Sequence, residues 1–308
     1  MRISSTWSQQ LGVNSLIDQQ AKMNHTQIQL STGKRIIEPS DDPAAAVQVV
    51  DLNQTIKQTE QYNSNIKTAR QRIELEEVVL RSSVDVMHRL RDLGLQGLNA
   101  TNSLGERKAV AQEMELLNGQ LVGLANTKNS NGEFIFSGFK SDQTPFVETA
   151  AGVYTYQGDL NLRQIQISTT RQIADGDPGE NVFGTPSGGP PPVPVPLPGS
   201  ISNVFEAVAK FAADMKLGTP NVNSLTDLAN SLDKMLTTQS SVGARLNALD
   251  TQEGVNNDYV MSMNSTLSSV EDLDYASAIS KFNLQKTTLE GAQQAFSKVQ
   301  HLSLFNYL

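Results

Sequence analysis

The chain has 308 residues, room for about two domains, and is 38% apolar but only 6% aromatic, which favours helix–helix seams over one thick centre. Its 32 acidic against 24 basic residues give a net charge of −8, leaving no basic surplus for phosphates and excluding nucleic acid as a partner. With 0 Cys and only His25, His88 and His301, none with a ligand-spaced neighbour, the chain offers no disulfide, thiolate metal site or thiol nucleophile, and no metal or cofactor is expected.

No run of 18 apolar residues occurs, so no membrane insertion is expected. The start, Met1 to Leu11, lacks an apolar core and a cleavage site, and so reads as having no cleaved signal peptide.

The first segment, to about Ile37, has sparse apolar residues. Leu16, Met23, Leu30 and Ile37 fall seven apart, a narrow coiled-coil stripe among Gln, Ser, Asn and Thr. Such a helix needs a partner, and Gly33 ends it. At Pro39-Ser40-Asp41-Asp42-Pro43 a new helix begins: Asp42 can cap free N–H groups and Pro43 suits the first helical position. It should run to about Leu93, with Leu52, Ile66, Ile73, Leu80 and Met87 in one phase and Thr59 between, and break at Gly94, Gly97 and Gly105. Residues 106 to 128 follow as a helix whose Val110, Met114, Leu117, Leu121 and Leu124 keep a/d spacing.

From Glu133 the period changes to two. Phe134 and Phe136 alternate with Glu133, Ile135 and Ser137, and 153–156 and 163–168 read as strands, so about 133 to 183 is a small antiparallel β region. Residues 184–200 hold seven of the 12 Pro and read as an irregular surface connector. A helix follows near Ser202, with Val204, Val208, Phe211 and Met215 on one face.

The clearest signal is Leu225, Leu228, Leu232, Met235, Gln239, Val242, Leu246 and Leu249, continuing in phase to Val260, Met263, Leu267 and Val270. Gln239 either sets register or is partly exposed. The last segment shifts phase: Tyr275, Phe282, Leu289 and Phe296 lie seven apart, with Ala278, Ala292 and Val299 beside them. The tail 302–308 is apolar and covers either a partner or the chain's own first helix. The simplest arrangement is mainly α: a long antiparallel helical, coiled-coil rod with N- and C-terminal helices paired, plus a small inserted antiparallel β domain.

Three stretches carry a resemblance. Leu30-Ser31-Thr32-Gly33-Lys34-Arg35-Ile36 with Pro39-Ser40-Asp41-Asp42-Pro43-Ala44-Ala45 resembles the N-terminal signature of the bacterial flagellin family. Its Pro-Ser-Asp-Asp-Pro-Ala form is closer to the hook–filament junction branch than to filament flagellin. Asn131-Gly132-Glu133-Phe134-Ile135-Phe136-Ser137-Gly138 is similar to that branch's turn into an outer domain, and Ser269 to Ala276 with the tail to Leu308 resembles the flagellin C-terminal helix.

The resemblance implies a secreted structural adaptor joining the first hook-associated protein to the filament, with filament flagellin as the alternative. It implies export through the flagellar type III channel and a cytoplasmic export chaperone on the C-terminal helix. Its partners would be itself, in a ring or helical layer, the first hook-associated protein and flagellin. Its place would be extracellular, in the flagellum. The expected domains are 1–44 with 271–308 for assembly, 45–137 with 201–270 as helical rod, and 138–200 as outer β domain. The expected assembly interface is Val13, Leu16, Met23, Leu30, Arg35, Ile36, Tyr275, Phe282, Leu289, Phe296, Val299, Leu304 and Phe305. Because the long seams lie outside the β region, the rod should survive its loss.

No enzyme is expected. Asp41 and Asp42 are explained by capping, Thr32-Gly33-Lys34 lacks Walker spacing, and the glycines at 94, 97 and 105 form no dinucleotide fingerprint. His88 reads as a surface or seam residue, and Trp7 as an anchor. Lys34 and Arg35 either meet an acidic partner or are solvated.

Overall fold

The computed structural model describes residues 2–188 and 196–301. Residues 189–195 of the Pro-rich stretch and the tail carrying Leu304 and Phe305 lie outside these described residues. The elements are α1 (Arg2–Thr32), α2 (Pro43–Leu98), α3 (Leu104–Ala125), β1 (Phe146–Ala150), β2 (Val153–Tyr156), β3 (Gln164–Gln166), β4 (Gln172–Ala174), α4 (Gly179–Phe183), α5 (Val204–Lys216), α6 (Asn223–Glu271) and α7 (Tyr275–His301). The fold is mainly α with two small antiparallel sheets, β1–β2 and β3–β4.

The chain divides into two compact units. One holds the described residues up to Gln58 and from Asp258 onward; the other is Thr59–Asn257. The β region belongs to the second unit.

In the second unit the seams fill as the heptads require. Ile66, Ile73, Leu80 and Met87 of α2 are fully buried, as are Met235, Val242 and Leu249 of α6. α2 and α6 run antiparallel: Asn63 Nδ2 donates to Asn257 Oδ1 at 2.8 Å, and Arg70 reaches Asp250 and Glu253, each at 2.7 Å. Gln239 is half-buried, so it is a partly exposed position. Ser103 and Glu106 close a reciprocal cap on α3, and Asn203 caps α5.

Two expectations fail, each for a packing reason. Gly94 and Gly97 do not end α2. They lie inside it because α5 crosses close: a Cβ on Gly94 would stand 2.8 Å from the Phe211 ring, and one on Gly97 would meet Met215. Residues 133–137 are no strand. Phe134, Ile135 and Phe136 are buried consecutively, in a loop whose N–H groups go to Ser141 and Thr127 and whose Phe136 carbonyl takes Gly179 N–H at 2.8 Å. Consecutive burial on several sides defeats the alternation argument.

The few aromatics are concentrated. Phe136, Phe146, Tyr154, Tyr156, Phe183 and Phe205 form one cluster with ring centroids 4.9–5.8 Å apart. Three of the six come from β1 and β2, one from α4, one from α5 and one from the loop after α3. The β layer is therefore part of the core of this unit, contrary to the expectation that the rod's seams are complete without it.

Candidate assembly interface

The first unit pairs the two ends of the chain. α1 and α7 pack antiparallel. The register is tight at two glycines: a Cβ on Gly12 would meet the Phe296 ring at 3.0 Å, and one on Gly33 the Tyr275 hydroxyl at 2.8 Å.

Beside this pair two turns are knitted together. Gly33, at φ +71°, ends α1 in a conformation other residues avoid. Arg35 N–H donates to Glu271 C=O at 2.7 Å and Leu273 N–H to Gly33 C=O at 2.9 Å. Lys34 Nζ meets the Glu271 carboxylate at 2.5 Å. The Arg35 guanidinium donates to Val270 C=O at 2.9 and 3.3 Å and to Asp42 at 3.3 Å. Lys34 and Arg35 thus bond within their own chain while their side chains stay about half exposed.

Asp41 Oδ2 accepts the N–H groups of Ile37 and Glu38, and Oδ1 stands 3.0 Å from His25 Nε2. Those backbone donors, Glu38 first, hold its carboxyl below the usual range, with help from His25. Asp42 accepts Ala45 N–H at 3.1 Å and caps α2, and that bond holds its carboxyl low as well. Asp274 caps α7 through Ala276 and Ser277.

A carboxyl lowered by folding contributes stability that is present above its unfolded pKa and lost as pH falls through the folded value. Amide protection of residues 35–45 should therefore fall as pH drops below about 4, where free Asp protonates. Hydrogen exchange against pH checks this; unchanged protection at acid pH would contradict it.

The structure sorts the expected interface residues into two groups. Leu16, Met23, Leu30, Phe282 and Phe296 are half-buried, and Ile36 and Leu289 are buried, within the unit itself. The sevenfold stripes thus make the seam between the chain's own ends. Val13, Arg35 and Tyr275 are exposed. Val299 lies in α7 with its side chain outside the description, and Leu304 and Phe305 lie outside altogether.

A second apolar set remains uncovered: Trp7 at 67% exposure, Leu11, Ile17 and Ile28 on α1, with Ile279 and Leu284 on α7. At about 100° per residue, the α1 members fall on the side turned away from Leu16, Met23 and Leu30. The stripe argument missed Leu11, Ile17 and Ile28. A signal was present: α1 is apolar on two sides, and a helix with two apolar sides needs two partners.

Among the described residues no cluster suits a metal ion, and no helix is long and apolar enough to cross a membrane. His88 is exposed on α2.

Comparison with known proteins agrees with this architecture. The family model described as the bacterial flagellin N-terminal helical region matches residues 3–141, and the bacterial flagellin C-terminal helical region matches residues 225–308. Flagellar hook-associated protein 3 of Escherichia coli is 31% identical over 321 residues, covering 99% of each chain. Polar flagellin A of Vibrio parahaemolyticus is 31% identical over 118 residues, 37% of this chain. Among solved structures, the flagellar junction protein of Legionella pneumophila superposes with TM-score 0.60 at 24% identity, over 73% of this chain and 100% of that one.

Proposed function

The chain belongs to the family of flagellar hook-associated protein 3, and on that premise we propose that it is a structural adaptor between the hook-associated zone and the filament of the bacterial flagellum. What carries the reading is the extent of the relation: 99% of both chains for the hook-associated protein, against 37% of this chain for a flagellin.

In this reading the chain works without catalysis. The terminal helix pair is the assembly element, and Thr59–Asn257 is a separate unit. Each subunit closes its own α1–α7 seam and turns the Trp7, Leu11, Ile17 and Ile28 side toward further copies in a ring or helical layer. Burying each such side chain is worth roughly 1.5–3 kcal/mol, so several in one contact hold a subunit without covalent help. The first hook-associated protein lies on one side of that layer and flagellin on the other. The chain reaches the cell exterior through the flagellar type III channel, with a cytoplasmic chaperone on its C-terminal helix until export.

The test is a strain lacking this chain. It should keep its hooks, lose its filaments and release flagellin monomer into the medium. Normal filaments in that strain would overturn the reading. Sheared filaments made chiefly of this chain would establish flagellin instead.

A further inference from the structure

The densest group of buried charge lies in the Thr59–Asn257 unit, where α2 and α6 meet the stretch after β4. Arg245 of α6 donates through Nη1 to the carbonyls of Ala174 and Gly176, at 3.3 and 3.5 Å, and through Nη2 to the Asp177 carboxylate. Glu76 of α2 is 2% exposed. Its Oε1 accepts Asp177 N–H at 3.1 Å. Its Oε2 is buried with no hydrogen-bond partner and stands 3.6 Å from Arg245 Nη2, too far for a hydrogen bond.

The neighbouring charges are already matched. Asp175, 3% exposed, takes Arg163 at 2.5 Å and faces Arg72 Nε at 3.0 Å, and Arg72 Nη1 meets Glu133 at 2.7 Å. Three guanidiniums therefore face four carboxylates. Arg245 alone is left for both Asp177 and Glu76, and it bonds Asp177. If Glu76 were ionised, a buried negative charge would stand beside a second carboxylate with the Asp177 N–H as its one donor and Oε2 unbonded. Burial first, and the Asp177 charge second, push the Glu76 carboxyl well above the usual range, against the pull of Arg245.

We infer that Glu76 is kept as a neutral acid in the folded chain and is a proton-held latch tying residues 174–177 to α2 and α6. The β3–β4 hairpin is fastened at both ends in different ways, and Arg72 of α2 also faces Asp175 at the far end. At its turn, Asn65 donates to Gln166 C=O at 2.8 Å and Asn256 to Ile167 C=O at 3.1 Å. Neither amide titrates. At the other end sits the latch, and the chain leaving it enters α4, which carries Phe183 into the aromatic cluster. Losing the proton therefore loosens 174–184 and leaves 165–168 fastened.

The sign follows from the raised folded-state value. The latch is at full strength below the ordinary carboxylate range and weakens as pH rises through Glu76's own value. Hydrogen exchange on the full chain, corrected for the intrinsic pH dependence of exchange, reads this directly. In the native chain, opening of 174–184 should increase about tenfold per pH unit above the ordinary Glu value near 4.3, then level off. Protection of 165–168 should stay flat. Glu76→Gln keeps the oxygen that accepts Asp177 N–H and cannot ionise, so its 174–184 segment should show no such slope. An equal slope in native and variant chains, or none in the native chain, overturns the latch. A second reading needs no variant: the Glu76 carboxyl carbon resonance should titrate above the other glutamates, and titration together with them overturns the proposal.

Discussion

Leu289→Asp should unpair α1 from α7 and leave Thr59–Asn257 folded. Leu289 is 8% exposed in α7, the most buried large apolar side chain among the described residues of that helix. Removing it forfeits about 1.5–3 kcal/mol of burial and forces a carboxylate into the seam unless it protonates. The rest of the seam is thin: Leu16, Met23, Leu30, Phe282 and Phe296 are only half-buried. A helix pair so sparsely sealed cannot absorb several kcal/mol, because isolated helices of this composition are marginal in water. The apolar core cluster of the other unit runs from Ile66 to Leu249 and includes no residue of the pair. Hydrogen exchange should show α1 and α7 unprotected while Ile66–Leu249 stays protected. Ile17→Asp is the contrast: Ile17 is 58% exposed, so the pair should stay folded while assembly fails. Loss of protection in both units of Leu289→Asp, or in neither, would refute the placement of this residue in the chain's own seam.

How much of this was legible depended on what each residue answers to. The heptads of α2 and α6 were readable because one partner face imposes one period, and Ile66, Ile73, Leu80, Met87, Met235, Val242 and Leu249 are buried accordingly. Asp42 was readable because a cap is a local geometry. Gly94 and Gly97 were not, since the reason for them is the closeness of Phe211 and Met215, over 100 residues away in sequence. Leu289 reads from its stripe as an assembly residue, and within this single chain it is already buried. A sevenfold stripe says that a partner exists and does not say whose chain supplies it. Glu76, Asp177 and Arg245 share no pattern at all; their chemistry appears only when three distant segments converge.

Excising residues 140–198 with a short Gly-Ser bridge should abolish cooperative unfolding of the Thr59–Asn257 unit. The cut removes Phe146, Tyr154, Tyr156 and Phe183 from the aromatic cluster, and Ile167, Ile173 and Val182 from the buried set around it. Phe136 and Phe205 would lose all their ring partners in the cluster, and Asn118 would lose the Tyr154 hydroxyl. The same cut takes away Asp175 and Asp177, stranding Arg245, which is 13% exposed, beside Glu76 without its carboxylate partner. Truncating a single core Phe costs about 3–5 kcal/mol. A whole domain is stable by about 5–15 kcal/mol, so losing four such rings at once exceeds what the α2, α3, α5 and α6 seams can hold. The product should stay helical by far-UV circular dichroism, lose its near-UV signal and unfold over a broad urea range. Phe205→Ala, which removes one ring and touches none of the ion pairs, should instead unfold cooperatively at a lower urea midpoint. A sharp transition after the excision, with the midpoint preserved, would show that the helices form a complete core without the β layer.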